Sequence, residues 1–443
     1  MTGILVDTDA IAACLHRYNA LAIFDYAGAG PYVQIDMNPG PNSKYGESSY
    51  KDAIVCSPHK FVGGPGTVGV LVCKNRLFIN DIPSSPGGGT VIYVTQTSHK
   101  YTNDLTEREE GGTPAIVESI RTGLVFGLKD ALTVEKIMAR DDDLVSRAVE
   151  KWRECPNLMV LGGFDAHRLP IFSFCIFHPE SQRLLHHNFV SKILSDLFGI
   201  QSRGGCMCAG PYAEQLLGIS EDLALRIGEV LSTDQNKNLP ENRTAEILKP
   251  GFCRLNLPYY ADDSEIDFII DAVVLISEHG WKLLPQYTFE AGTGEWRHRE
   301  DTHIIDGTVS LKEISYQTGS FHFQRPTASK DPAPTLEEVL SAAQYLLRGK
   351  IKQETIMCSP CSSPFLRREK PKKEITRSYG EEWECLRWFL LPSEAQQFIE
   401  GTVPDTCKDY KILFCPGCPS VGDKQKTMKR QDSTTFHCSL FTM

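Results

Sequence analysis

An α/β fold is predicted by three features of this sequence. From residue 1 to about residue 290, short apolar runs alternate with amphipathic stretches of helical period. A carboxylate, Asp25, closes the apolar run ALAIF and is followed by the small residues of YAGAG. A loop holding Gly63, Gly64 and Gly66 joins two further strand-like runs, DAIVCSPHK and GTVGVLVCK.

Taken in order, Asp7 and Thr8 are helix-starting residues ahead of AIAACLHRY, because their side-chain oxygens accept from the free N–H groups of a first turn. ALAIFDY reads as a buried strand. Ala115 to Arg153 reads as a long helical stretch, broken near Asp141 to Asp143. LPIFSFCIF is a strand, and HNFVSKILSDLFG an amphipathic helix ended by Gly199. ADDSEIDFIIDAVVLISEHG is a late helix starting at Asp262 or Asp263 and stopping at Gly280. After about Trp281 the chain turns polar and irregular, with DGTVSLKEISY as a candidate strand. Pro332 and Pro334 precede a short helix, TLEEVLSAAQYLLRG. Residues 350–443 are rich in Lys, Ser, Pro and Cys and read as mostly disordered, with one ordered piece around EEWECLRWFLLP.

With 443 residues the chain has room for two or three domains. Its net charge of -10 argues against nucleic acid as a partner. No apolar run approaches the roughly 18 residues that a membrane span needs. The start, MTGILVDTDA, has neither the basic residues nor the long apolar stretch of a signal peptide. Several of the 15 cysteines sit in apolar runs, Cys73 in VGVLVCK and Cys175 in FSFCIF among them, and read as reduced core thiols. These features predict a cytoplasmic protein, unless a targeting signal precedes the residues present. The CxxC pairs Cys358/Cys361 and Cys415/Cys418 are too widely separated for a zinc ribbon, so no metal is expected.

Two residues carry most of the chemical signal. Asp25, at the C-terminal edge of a strand, is placed for the ligand crevice of an α/β sheet; alone it equally suits a turn or a cap. Lys60, in CSPHKFVGGPGTVGVL, stands between two apolar strands beside the glycine-rich loop. A desolvated lysine there would be a nucleophilic amine; a loop lysine would be solvated. His59 is either a support for that site or a structural residue. A lysine for an imine and an acid for a pyridine nitrogen are together what pyridoxal 5'-phosphate (PLP) needs. The acid keeps the ring nitrogen protonated, so the ring withdraws electrons.

FDYAGAGPYVQIDM followed by SPHKFVGGPGTVGVLV resembles the aspartate strand and lysine segment of class V aminotransferases, cysteine desulfurases included. GGTPA at 111–115 resembles their AGTP-type segment. SRGGCMCAGPY resembles the desulfurase segment that ends in cysteine-alanine, and GFCRLNLPYY the later segment bearing an arginine for the substrate carboxylate. These five segments fall in family order over about residues 1–280.

The resemblance implies PLP fold type I: a partial PLP-binding large domain over 1–139 with a mostly parallel sheet, and a smaller α+β domain over 140–285. A family-specific extension over 286–349 and the tail over 350–443 would follow. It implies Lys60 as the cofactor lysine, Asp25 at the pyridine nitrogen, His59 nearby, and Thr113 reaching the cofactor phosphate of a neighbouring subunit, hence a homodimer. Arg254 and Arg203 become candidates for the substrate carboxylate, whose two oxygens match arginine's planar fork. Cys208, with Cys206 beside it, aligns with the desulfurase nucleophile that takes up sulfur as a persulfide.

Two departures keep alternatives open. Gly28 stands where desulfurases place a glutamine or histidine against the cofactor ring, which leaves transamination or another PLP lyase reaction without a thiol step as the alternative. The family's large domain also extends well ahead of the segment matched by MTGILVD. A truncated, non-catalytic piece acting in dimerisation or as a scaffold is therefore the other expectation, and a partner-binding role for the tail a third.

Overall fold

The computed structural model describes residues 1–206, 209–232, 245–299, 313–317, 319–323, 333–348, 381–408 and 410–416. Helix α1 (Thr8–Arg17) starts where its capping residue requires, with the Asp7 carboxylate accepting from the Ala10 N–H at 2.9 Å. Strand β1 (Ile23–Asp25) pairs in parallel with β2 (Ala53–Cys56), placing Asp25 opposite Val55. Strand β3 (Val70–Cys73) pairs antiparallel with β2. The buried Asp52, just ahead of β2, ties this unit together. It accepts from the Ala22 N–H at 2.8 Å and the His16 ring at 2.9 Å, and it pairs with Arg76.

The expected burial of ALAIFDY is corrected: Ile23 and Asp25 are exposed and Phe24 is half-buried. The reason is that, among the described residues, no layer covers this part of the sheet. In the order β1-β2-β3, β1 is an edge, and Val55, Leu71 and Val72 are exposed as well. A hairpin follows, β4 (Val91–Val94) and β5 (His99–Tyr101). Then come the short helix α2 (Leu105–Glu109) and two long helices, α3 (Ile116–Leu132) and α4 (Val134–Trp152).

The break between those helices also needs correction. It falls at Thr133, whose φ is +65°, and α4 runs straight through Asp141 to Asp143. Tertiary contacts outweigh the weak helix propensity of aspartate there. Asp142 contacts His167 at 3.3 Å and Asp141 faces inward, while Asp143 adds a pair within the helix to Arg140, three residues before it, at 2.9 Å.

From here the chain builds its main core. Strands β6 (Leu158–Val160) and β7 (Ile171–Ile176) are followed by α5 (His187–Phe198), which Gly199 ends in the left-handed conformation at φ +68°. Strand β8 (Arg203–Gly205), helices α6 (Gly210–Leu217) and α7 (Glu221–Ser232), strand β9 (Phe252–Asn256) and helix α8 (Asp263–His279) come next. The sheet order is β6-β7-β9-β8, antiparallel throughout. Helix α8 opens on a reciprocal capping box between Asp262 and Glu265. It is clamped to α4 by Arg147, which pairs with Asp263 at 2.6 Å and Asp267 at 2.8 Å. Trp152, fully buried, donates its indole N–H to the Ile270 carbonyl at 3.1 Å.

The C-terminal segments join the same core. A hairpin of β10 (Tyr287–Glu290) and β11 (Glu295–His298) packs Trp296 inward, and α9 (Leu336–Arg348) lies against α8 and α5. Three short helices, α10 (Glu381–Leu386), α11 (Pro392–Ile399) and α12 (Asp405–Lys408), bring Trp388, Phe389 and Leu390 into the interior beside Leu184. Arg387, fully buried, is held by Glu394 at 2.6 Å and by Glu384. The candidate strand DGTVSLKEISY lies largely outside the described residues, although Ser315 forms a bridge with His322.

Candidate functional site

Asp25 ends β1 and Lys60 ends a single 3-10 turn, Pro58–Lys60, directly after β2. The parallel pairing brings both to the same end of the strand pair. Both are exposed, and the buried Cys56 thiol lies within electrostatic reach of both charges. Asp25 spends Oδ1 on the Ala27 N–H at 2.7 Å, an Asx-type turn that orients the carboxylate. Lys60 Nζ makes no hydrogen bond or ion pair among the described residues. His59 stands exposed in the same turn. Thr113 is exposed in the segment leading into α3, where the neighbouring Gly112 N–H donates to the Gly88 carbonyl at 2.8 Å.

A residue that sequence reasoning missed holds this end together. Lys129, on α3, donates to the carbonyls of Gly30 and Val33 at 2.7 Å each, and its ammonium lies 5.7 Å from the Phe61 ring centre. It thereby joins the loop after Asp25 to the residue after Lys60. Burial pulls its pKa down. The one signal in the sequence was a lysine within the apolar GLVFGLKDAL.

The two candidate arginines come together more directly. Arg203 in β8 sits opposite Arg254 in β9 on the antiparallel ladder. Cross-strand neighbours point to one face of a sheet, so two guanidinium groups share it. Arg203 is exposed and Arg254 half-buried. Tyr32, seven positions after Asp25, connects the two halves. Its ring meets Tyr259 edge-on at 6.1 Å, and the Arg254 charge reaches it. Burial above all, with Asp141 nearby, pushes the Tyr32 phenol up to about 12. Asp141 itself is pushed up to about 7, first by burial and then by Asp142, and neither carboxylate oxygen has a hydrogen-bond partner.

Cys206 follows β8 directly and is half-buried, with its thiol against the Pro250 carbonyl; burial pushes it up. Cys208 lies outside the described residues, as do Cys358, Cys361 and Cys418. Among the described residues no cluster of His, Cys, Asp and Glu is arranged to hold a metal, and no helix is long and apolar enough to cross a membrane. A cleft of about 410 Å³ is lined by His16, Arg17, Lys44 and neighbours, and by none of the candidate site residues.

The family model for Aminotransferase class-V matches residues 1–267, and the chain belongs to that family. It is similar to a "Probable cysteine desulfurase" of Streptomyces coelicolor, 26% identical over 204 residues that cover 46% of this chain and 44% of the relative. A "Probable cysteine desulfurase" of Borreliella burgdorferi is 27% identical over 212 residues, 47% of this chain and 46% of the relative. The chain thus spans about half the length of the curated relatives it matches. Among solved structures, the apo cysteine desulfurase of Thermococcus onnurineus NA1 aligns with a TM-score of 0.47 and 21% identity, over 62% of this chain and 57% of that one.

Proposed function

We propose that this chain supplies the cofactor lysine, the ring acid and the sulfur-accepting cysteine of a PLP-dependent, cysteine desulfurase-like centre. The observation that carries the reading is the placement of Asp25 and Lys60 at one end of a parallel strand pair, both open to a ligand. The donor set suits PLP: Asp25 keeps Oδ2 without a bond among the described residues, and the Lys60 amine has no competing partner. When bound, PLP supplies an electron sink for the pair released at the substrate α-carbon.

The chain's own groups do the rest. Asp25 holds the proton at the pyridine nitrogen. Lys60 Nζ takes the proton from the substrate α-carbon. Arg254 and Arg203 bind the substrate carboxylate, which fixes the orientation of the side chain to be cleaved. The Cys208 thiolate then attacks the substrate sulfur. An S–S bond forms as the carbon–sulfur bond breaks, its electron pair stays with the substrate β-carbon, that carbon takes up a proton, and Lys60 returns a proton to the α-carbon. The products are alanine and a Cys208 persulfide, with no outside oxidant or reductant.

The homodimer belongs to this reading. Ile116, Val117, Ile120, Leu124 and Leu128 are all exposed along α3, directly after Thr113. An apolar stripe of that extent marks an interaction surface. The same exposure supports the second reading, a non-catalytic piece that serves in dimerisation.

The purified chain mixed with PLP and cysteine decides between them. A visible absorbance band that disappears in Lys60→Ala, with alanine formation that disappears in Cys208→Ala, is the expected result. Alanine formation that persists in Cys208→Ala removes the thiol step; the absence of any band in the unmodified chain favours the non-catalytic reading.

A further inference from the structure

We propose that the C-terminal segment 381–416, which lies beyond the family match, positions Cys206, and that Trp388 is the positioning residue. The observation is a run of four successive backbone carbonyls on the stretch entering β9. The carbonyl of Ile247 faces His186 Nε2 at 3.1 Å. That of Leu248 accepts the Trp388 indole N–H at 2.9 Å. That of Lys249 faces His187 Nε2 at 3.3 Å. That of Pro250 meets the Cys206 thiol. Three buried rings therefore set the backbone that the Cys206 thiol meets, and one of them arrives from about 140 residues away.

The rings form a stack. Trp388 lies nearly parallel to His186, with centres 5.1 Å apart at 20°, and to His187, 5.9 Å apart at 19°. His186 Nδ1 accepts from the Asn188 N–H at 3.1 Å, so its Nε2 carries the proton that Ile247 receives. His187 also presses against two glycines, Gly204 in β8 and Gly251 just ahead of β9. A Cβ at Gly204 would lie 2.8 Å from His187 Nδ1 and 2.3 Å from Asn188 Oδ1; one at Gly251 would lie 2.6 Å from His187 Cδ2. Backbone that approaches a ring this closely requires glycine at both positions.

The segment that delivers Trp388 is itself fixed. The Leu184 N–H donates to the Trp388 carbonyl at 3.3 Å, and the Leu390 N–H donates to the Leu184 carbonyl at 3.0 Å. Arg183 donates to the Arg387 carbonyl at 2.6 Å. The buried Arg387 guanidinium closes onto Glu394 and the Phe389 carbonyl. A displaced tail removes a hydrogen-bond donor and a stacked ring from beneath the stretch that Cys206 and Arg254 depend on. The contact stands without the desulfurase reading; only its catalytic consequence rests on that reading.

The test is alkylation by iodoacetamide on the full chain, followed by mass spectrometry at each cysteine, and it needs no cofactor. Trp388→Phe keeps a stacking ring and removes the donor to Leu248. The expected result is Cys206 alkylation faster by roughly tenfold, the loss of about one hydrogen bond, with Cys175 and Cys253 still protected in the sheet. An unchanged Cys206 rate overturns the proposal, as does a rise at all three cysteines together, which would report general loosening. Hydrogen exchange on the unmodified chain is the second measurement. Residues 246–251 should exchange with 388–390 as one unit; exchange of 246–251 far ahead of 388–390 overturns the proposal. A chain that fails to bind PLP leaves both results standing, so the two claims fail separately.

Discussion

Residues 140–299, with α9 and 381–416, and residues 1–132 are built to different standards. The first set closes a continuous core from Leu144 to Phe414, in which Trp152, Phe172, Phe174, Phe189 and Phe389 have no exposed surface. In the second set, the separate core cluster is Cys56, Phe61 and Val125, while Leu71, Ile79, Tyr93, Val117 and Leu124 are all at least 59% exposed. The proposed cofactor residues sit on the open part, and the arginines and Cys206 on the closed part. The well-packed region thus holds the arginines proposed to bind a substrate carboxylate, while Asp25 and Lys60 lie in a region where many large apolar side chains are exposed.

Several measurements would break or sharpen that contrast. The largest effect is expected for Trp152→Ala, which removes the core's central ring and its bond to Ile270; denaturant unfolding should show a loss of roughly 3–5 kcal/mol. Arg387→Met strands the Glu394 carboxylate inside the core and should cost about 3–4 kcal/mol. A loss below about 1 kcal/mol in either would show that the C-terminal module is not one cooperative core.

Asp141→Asn should act in the opposite direction. The native carboxyl is raised to about 7 from an ordinary 3.8, so its contribution is present at acid pH and lost as pH rises from about 4 through about 7. The amide should therefore gain up to about 4 kcal/mol at pH 8 over the parent and little at pH 4. A gain equal at both pH values contradicts the burial account. His178 and His187 titrate the other way: burial lowers each to about 4. Their contribution is present above about 6.5 and lost as pH falls towards 4, so the unfolding midpoint should drop across that window, and less steeply in His178→Gln. The smallest effect belongs to Ile79→Ser, in the exposed stretch after β3 and outside the α3 stripe, expected within about 0.5 kcal/mol of the parent. A cost there matching Trp152→Ala would erase the distinction between the two regions.

Much of this was legible in the sequence where the signal is local. The Asp7 and Asp262 caps, the Gly199 stop and the strand IFSFCI follow from short-range chemistry and appear where expected. That Asp25 and Lys60 fall at the same end of one strand pair was legible, because one closes a strand and the other closely follows the next strand in a simple α/β order. What failed were judgements that depend on distant partners. ALAIF is apolar enough to be buried, yet burial requires a layer over the face of the sheet, and Ile23 on β1 and Val55 on β2 have none among the described residues. The aspartates 141–143 looked like a helix break because the partner of Asp142, His167, and the interior that Asp141 faces are not visible in a local window. Lys129 and Trp388 act on carbonyls about 100 and 140 residues away, a distance over which no periodicity carries information.

The most direct test of the central claim is chemical trapping. The purified chain is incubated with PLP, reduced with borohydride and digested, and the peptides are sequenced by mass spectrometry. A phosphopyridoxyl group on Lys60, strongly diminished in Asp25→Ala, is the predicted result. Label scattered over surface lysines in proportion to their exposure, or unchanged in Asp25→Ala, would contradict it.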